Sequence, residues 1–333
     1  MTPSRGLAVL ALAAMAATTV TLTPAEARTG AASADSVRYA WVKSCPKKDY
    51  QIPCGKWTLT MRSGRSVKLP DARIHPRNAR GKVNKETSAL FAVSGDGRIV
   101  NYFKGDKLVV RDVNSGRVRP LPGGAAVLPK GIGQDDVDTM LSPDGSIIVI
   151  DYFDSAEKLP TLIVNLASGK TIKLPAKNNV LSFSPDGQHL LTGRSTDDNI
   201  TEFAVFDADG REAGRQVVPQ IVSNNSPVAL ADDASTVTLI ITSPSSKARL
   251  RTYDLASDTV SEAVPLGIPK GETSQRLHWD RAGTLTLWTS RDGGKNDITS
   301  AVKRAVNAET GATRKLDSFM IKNGPWTWWL PGE

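Results

Sequence analysis

A four-residue turn, Ser-Pro-Asp-Gly, returns along this chain at a nearly constant interval, and that interval limits the folds open to it. Good copies are Ser94-Gly95-Asp96-Gly97, Ser142-Pro143-Asp144-Gly145 and Ser184-Pro185-Asp186-Gly187. Degraded copies follow at Ala231-Asp232-Asp233-Ala234 and Asp280-Arg281-Ala282-Gly283. Counted on the fourth position, the intervals are 48, 42, 47 and 49 residues. A repeat of that length with strand-like flanks describes a radial β-architecture in which each unit is one blade of four short antiparallel strands.

The clearest unit spells out the blade. Val180 to Ser184 reads as an inner strand, Pro185-Asp186-Gly187 turns, and Gln188 to Gly193 returns. Thr201 to Asp207 is a third strand, Ala208-Asp209-Gly210 turns, and Gln216 to Val218 lies in the edge strand. Asp-Gly supplies the positive φ that tight hairpins need. Third-and-fourth-strand pairs recur around Asn114-Ser115-Gly116, Ala167-Ser168-Gly169, Ala256-Ser257-Asp258 and Glu309-Thr310-Gly311. An extra pair, Trp57 to Met61 and Ser66 to Leu69, precedes the first Ser-x-Asp-Gly. Arg38 to Lys43 then reads as the second strand of that first blade, and Trp326 to Leu330 as its first strand. Gly332 of Leu330-Pro331-Gly332 falls 49 residues after Gly283, on the beat of the repeat. The expected fold is an all-β, six-bladed β-propeller over residues 38–333, closed by the C-terminal strand joining the N-terminal blade. No convincing helix is expected in it.

Residues 1–27 read as a signal peptide: Arg5, an apolar run from Gly6 to about Leu22, and the small-x-small pattern Ala25-Glu26-Ala27. Residues 28–37 read as a linker. No later stretch reaches transmembrane length, so the mature chain is expected outside the cytoplasm, secreted or held at the cell wall, and monomeric. Cys45 and Cys54 are the sole cysteines, flanked by prolines, and in an oxidising compartment they read as a local disulfide. The three histidines (His75, His189, His278) are scattered, so neither a metal site nor a cofactor is expected. The net charge of +8 favours acidic partners, among them an anionic cell-wall polymer. Without a Lys/Arg run it does not favour nucleic acid.

The Ser-Pro-Asp-Gly turns, with Leu287-Trp288-Thr289-Ser290-Arg291-Asp292-Gly293, resemble the WD40-like propeller repeat of the TolB family. The resemblance covers most of residues 38–333 and implies architecture rather than one activity. No counterpart of the N-terminal α/β domain of periplasmic TolB proteins is expected in this sequence, so the resemblance is not expected to carry over their docking of a peptidoglycan-associated lipoprotein.

Blade topology puts the loops that enter the inner strands, and the loops between second and third strands, on one face. The sequence is polar where the chain enters inner strands, which predicts a ligand-binding ring at the channel mouth formed by Lys85, Asp135, Asp136, Asn178, Asn179, Asn224, Asn225, Arg276 and Lys322. The disulfide loop, with Lys47, Lys48 and Tyr50, reads either as a stiffened recognition element on that face or as a staple for the first blade. Asp207-Ala-Asp209-Gly210 and Asp292 to Asp297 lack a multi-oxygen calcium pattern. In Trp326-Thr327-Trp328-Trp329, strand alternation places Trp326 and Trp328 together and Trp329 opposite, packing the blade closure. No nucleophile elbow occurs and neither cysteine should be free, so catalytic residues are not identified. The functional expectation is an exported, non-enzymatic propeller that recognises a protein or peptide through its loop-rich face. The alternative is a propeller hydrolase or lyase acting on a small or glycan substrate at the channel mouth.

Overall fold

In the computed structural model, residues 35–154, 156–196, 200–243, 246–292, 298–321 and 324–332 are described. The expected signal peptide and the linker up to residue 34 lie outside them. Six antiparallel sheets account for the described strands. From inside outward, blade 1 is Pro325–Trp329, Val37–Lys47, Tyr50–Met61 and Ser66–Leu69. Blade 2 is Phe91–Val93, Ile99–Lys104, Lys107–Asp112 and Val118–Pro120; blade 3 is Val137–Leu141, Ile147–Tyr152, Leu162–Asn165 and Thr171–Lys173. Blade 4 is Asn179–Phe183, His189–Ser195, Thr201–Asp207 and Glu212–Val217. Blade 5 has Val228–Leu230, Thr236–Ser243 and Ser246–Asp254, with an outer edge split into Thr259–Val260 and Val264–Pro265. Blade 6 is Glu272–Trp279, Leu285–Asp292, Ile298–Val306 and Thr313–Met320. First strands touch between blades 1 and 2, 2 and 3, 4 and 5, and 5 and 6. One short helix, Gln220–Ser223, lies between blades 4 and 5, where the sequence suggested none.

Alternation gives each blade two apolar faces, and each face is buried by the next blade. Six apolar clusters result, one per blade interface. Trp57, Leu59 and Phe91 join blades 1 and 2, whereas Ile240, Leu277 and Leu287 join blades 5 and 6. The interface between blades 6 and 1 adds aromatic and ionic contacts to its apolar cluster. There Tyr39 stacks on Phe319 at 4.9 Å, and Arg38 and Arg62 both reach Asp317, at 2.8 and 3.3 Å.

Closure occurs as the repeat count requires. Trp41 pairs with Trp328 and Ala40 with Trp329 in one sheet. The tryptophan alternation needs correction. The register shifts between Val42 and Lys43, whose partners are Thr327 and Pro325, leaving Trp326 as an extra residue. This bulge moves Trp326 to the side of Trp329, where both pack against the blade 1–2 cluster, while Trp328 packs against the blade 6–1 cluster.

The repeated turn explains its own composition. Ser94, Ser142 and Ser184 each donate from Oγ to the motif aspartate, at 2.6, 2.8 and 2.6 Å. The same hydroxyls accept the backbone N–H of Ile99, Ile147 and His189 at 3.0, 3.0 and 2.9 Å. The glycine takes φ near +72° at Gly97, +70° at Gly145 and +73° at Gly187. It is also where adjacent blades meet: a Cβ on Gly97 would lie 2.7 Å from the carbonyl oxygen of Val37. At Gly283 the φ is also +72°, yet nothing lies within 4 Å. Gly283→Ala should therefore cost about 1–2 kcal/mol of backbone strain alone. Gly97→Ala adds a backbone clash and should cost about 3 kcal/mol or more. Chemical denaturation of the two variants checks this; equal losses would deny the close approach.

Candidate functional site

Loops entering the inner strands, and those between second and third strands, emerge on one face, here the loop face. The Ser-Pro-Asp-Gly turns emerge on the other, the turn face. On the loop face the second and third strands of blade 1 run past the sheet as a long hairpin, pairing as far as Lys47 and Tyr50. Cys45 and Cys54 are bonded across it, with Cα atoms 5.9 Å apart. The hairpin tip rests on the next loop: Tyr50 Oη donates to Glu86 Oε1 at 2.9 Å, and Lys47 Nζ lies 3.9 Å from the same carboxylate.

That next loop, residues 70–90, is ordered by its own polar groups. Arg77 and Val83 form a bridge, and Asn78 Oδ1 accepts the N–H groups of Arg80 and Lys82, each at 3.0 Å. Gln134, from the following inter-blade loop, is buried; its Oε1 accepts the Arg77 N–H at 3.0 Å. Between these loops lies an open groove of about 550 Å³, lined by Asn78, Lys82, Asn84, Lys85, Glu86 and Asp135.

A second cavity, about 270 Å³, opens where blade 3 meets blade 4. Asp138 and Asp151 lie directly opposite each other on its two blade 3 strands. Met140, Val149, Phe153 and Val180 form an apolar wall beside them. Asp138 is open to solvent, but protein on its other sides removes water and pushes its carboxyl upward from the ordinary range. Desolvation also raises Asp151, opposed by a hydrogen bond from Thr161 Oγ1 at 3.0 Å and reinforced by the Asp138 charge. Like charges directly across an antiparallel pair destabilise it. No packing need of the blade accounts for two of them here.

The residues expected to form a single ring are distributed differently. Lys85 and Asp135 share the 550 Å³ groove, and Asn179 lines the 270 Å³ cavity. Asn178 is buried and satisfied: its Nδ2 donates to Pro175 O at 2.7 Å and its Oδ1 accepts from Thr192 at 3.2 Å. Asp136 accepts the Gly133 N–H at 2.8 Å, Asn225 donates to Ile221 O at 2.9 Å, and Asn224 stands exposed at the end of the short helix. Arg276 lies within the first strand of blade 6, because that strand spans eight residues and begins well before it. Lys322 falls outside the described residues, as do 293–297 of the Asp292 to Asp297 segment. Asp207 accepts the N–H groups of Asp209 and Arg211, each at 2.8 Å, as ordinary turn chemistry. Sequence reading missed Asp138 and Asp151; the available signal was an acid inside the apolar run Val137 to Leu141.

On the turn face the channel ends in a cavity of about 180 Å³ lined by residues of five blades, among them Asp96, Pro143, Phe183, His278 and Pro331. The turns interlock around it. Gly332 N–H donates to Val93 O at 2.7 Å, Asp96 N–H donates to Pro143 O at 2.8 Å, and Arg281 meets Asp144 at 3.1 Å. Arg276 reaches this end, its guanidinium packed on Gly332. Burial, then the charges of Arg276 and Lys303, hold His278 well below its ordinary titration range, so it is neutral at physiological pH. Among the described residues no three of His, Cys, Asp or Glu converge as metal ligands, and no helix is long and apolar enough to cross a membrane.

No protein-family model matches the chain, and no curated protein matches it either. Solved structures do. A putative TolB from Agrobacterium tumefaciens is 15% identical, with 75% of this chain and 90% of that one covered, at a TM-score of 0.45. TolB from Acinetobacter baumannii is 12% identical over 86% of this chain and 81% of its own, also at 0.45. An oligogalacturonate lyase in complex with manganese is 14% identical over 85% and 74%, at 0.41. The likeness is one of fold. Substrates and partners do not transfer across it, and the six blades rest on the chain's own sheets.

The Asp138–Asp151 pair yields a pH prediction. A carboxyl raised in the folded state binds its proton more readily than in the unfolded chain, so ionisation weighs on the fold as pH rises through the raised range. Asp138→Asn should therefore stabilise the protein by about 0.5 kcal/mol at pH 7. The gain should fade as pH drops through the carboxylate range. Thermal melts of both proteins across pH 3.5–7.5 test this; a gain independent of pH would remove charge as its cause.

Proposed function

We propose that this chain acts outside the cytoplasm as a non-catalytic binding propeller that recognises a protein or peptide through its loop face. One observation carries this. Of eight large hydrophobic side chains exposed among the described residues, seven (all but Leu316) lie on loop-face loops or on the strand ends beside them. Val127 and Phe153 are the most open, at 60% and 61%. Tyr50, Ile200, Val217, Ile221 and Met320 complete the set. Scattered surface apolar residues are normal, but their collection on one end of a molecule marks a contact surface. The hairpin disulfide supports an oxidising location.

The test compares wild type with Val127→Ser/Phe153→Ser/Ile221→Ser by capture and crosslinking from culture supernatant and cell-wall extract. The triple variant should lose its captured protein at unchanged melting temperature, while Leu316→Ser on the outer strand keeps it. Capture that survives the triple variant, or that never exceeds bare resin, would overturn this assignment.

A second reading rests on the Asp138–Asp151 cavity. Two carboxylates with raised titration ranges beside an apolar wall suit proton transfer in a hydrolase or lyase acting on a small or glycan substrate. Turnover of an oligosaccharide library that disappears in both Asp138→Asn and Asp151→Asn would favour it over the binding role.

A further inference from the structure

Six of the chain's +8 net charges fall on two segments that touch on the loop face. Residues 43–56 carry four lysines against Asp49, and residues 70–90 carry five cations against Asp71 and Glu86. In the linear sequence these cations look dispersed. The fold gathers them, because the laced hairpin of blade 1 leans on the loop that leads into blade 2.

Three acids of this sector, Asp71, Glu86 and Asp106, are already engaged, whereas Asp49 and the groove residue Asp135 have no ion pair among the described residues. Glu86 is held by Tyr50 and Lys47, while Asp106 takes Arg73 at 3.1 Å and Arg77 at 3.9 Å. Lys43, Lys48, Lys56, Arg80, Lys82 and Lys85 remain, all exposed and with no ion pair among the described residues. Arg80 and Lys82 stand on backbone fixed by the Asn78 turn and the Arg77–Val83 bridge, and Lys85 follows Asn84, whose N–H donates to Pro76 O at 2.9 Å, so their backbone positions stay close. Lys82 and Lys85 line the 550 Å³ groove itself, together with Glu86, which Tyr50 and Lys47 hold, and Asp135. Like charges fixed at close spacing repel, and an anion spanning them gains from all at once while releasing its counterions.

The groove is open to solvent and the unpaired cations extend beyond it onto Arg80 and the hairpin, a spread that suits a strand of polymer more than a compact ligand. Its cations are mostly ammonium point charges, without a buried guanidinium fork to select planar carboxylates; such a set follows charge density and suits phosphate. Only one exposed aromatic, Tyr50, stands in this sector, and its hydroxyl and ring are occupied by Glu86 and Lys47. A stacking platform for nucleobases is therefore missing from these two segments. We propose that the surface formed by the groove of residues 78–86 and Asp135, together with Arg80 and the lysines of the adjoining laced hairpin, binds a flexible linear polymer with phosphate in its backbone. This site is separate from the apolar contact surface around Val127, Phe153 and Ile221, and it stands or falls without it.

The experiment titrates the full chain into fluorescently labelled long-chain inorganic polyphosphate, by anisotropy, over a range of sodium chloride concentrations. Arg80→Ala/Lys82→Ala/Lys85→Ala should weaken binding at least tenfold and flatten the slope of log Kd against log salt by about two. Arg117→Ala/Arg119→Ala/Arg314→Ala, which removes equal charge from outer strands, should stay within twofold of wild type. If the first variant melts early, the corresponding Gln variant gives the same comparison. Equal weakening by both triple variants, or no salt-dependent binding by wild type, would overturn the proposal. Polyglutamate bound as tightly as polyphosphate would overturn the phosphate assignment, and single-stranded DNA bound more tightly would reassign the surface to nucleic acid.

Discussion

The hydrogen bonds between Pro325–Trp329 and Val37–Lys47 are the constraint on which the rest of the molecule depends. Five blades are built from contiguous chain, but the first is assembled from both ends of the described sequence. Until that pairing forms, blade 1 lacks its inner strand, and blades 6 and 2 each lack the neighbour that buries one apolar face. Loop-closure entropy for so long a segment opposes the pairing, though it grows only slowly with length. The opposing gain is concentrated at the seam: the tryptophans of the closing strand pack to both sides of the blade, and the turn beyond it docks by its Gly332 N–H on Val93. Pairing at this one place also removes the exposed sheet edge that an open ring would present.

Much of this was legible because turn chemistry is local. A Ser-Pro-Asp-Gly turn needs its serine, aspartate and glycine for reasons contained within six residues, so counting turns counts blades. The echo at Pro331-Gly332 located the closing strand by the same logic. The bulge at Trp326 was not legible, since alternation holds only where the ladder is regular and nothing local announces the extra residue. Blade 5 misled in a similar way: its outer edge is two short pieces, where the repeat leads one to expect a single strand.

The loop face was harder to read for a physical reason. Its residues are placed by contacts between segments distant in sequence, such as Tyr50 with Glu86 and Arg77 with Gln134. A polar residue before an inner strand can point at the channel, cap a turn or satisfy a buried backbone group. Asn178 and Asp136 do the latter two, so a ring inferred from position alone included side chains that the fold had already engaged. Conversely, Asp138 and Asp151 are ordinary in sequence and become unusual only when the strands pair them across the ladder.

The two ends of the channel divide structure from recognition. On the turn face, backbone and side chain are bound to neighbouring blades at nearly every copy of the motif, which leaves the geometry little freedom. Substitution there acts first on stability. On the loop face, the connections and the strand ends beside them carry the uncompensated features: opposed carboxylates, exposed apolar side chains and unpaired cations. Each such feature costs the isolated protein something, through repulsion, hydration of apolar surface or charge crowding. A scaffold made rigid by its closed ring tolerates those costs without rearranging, and a surface held in a fixed shape loses less entropy when a partner arrives. Function is therefore to be sought where the blades are joined to one another by loops rather than where they interlock.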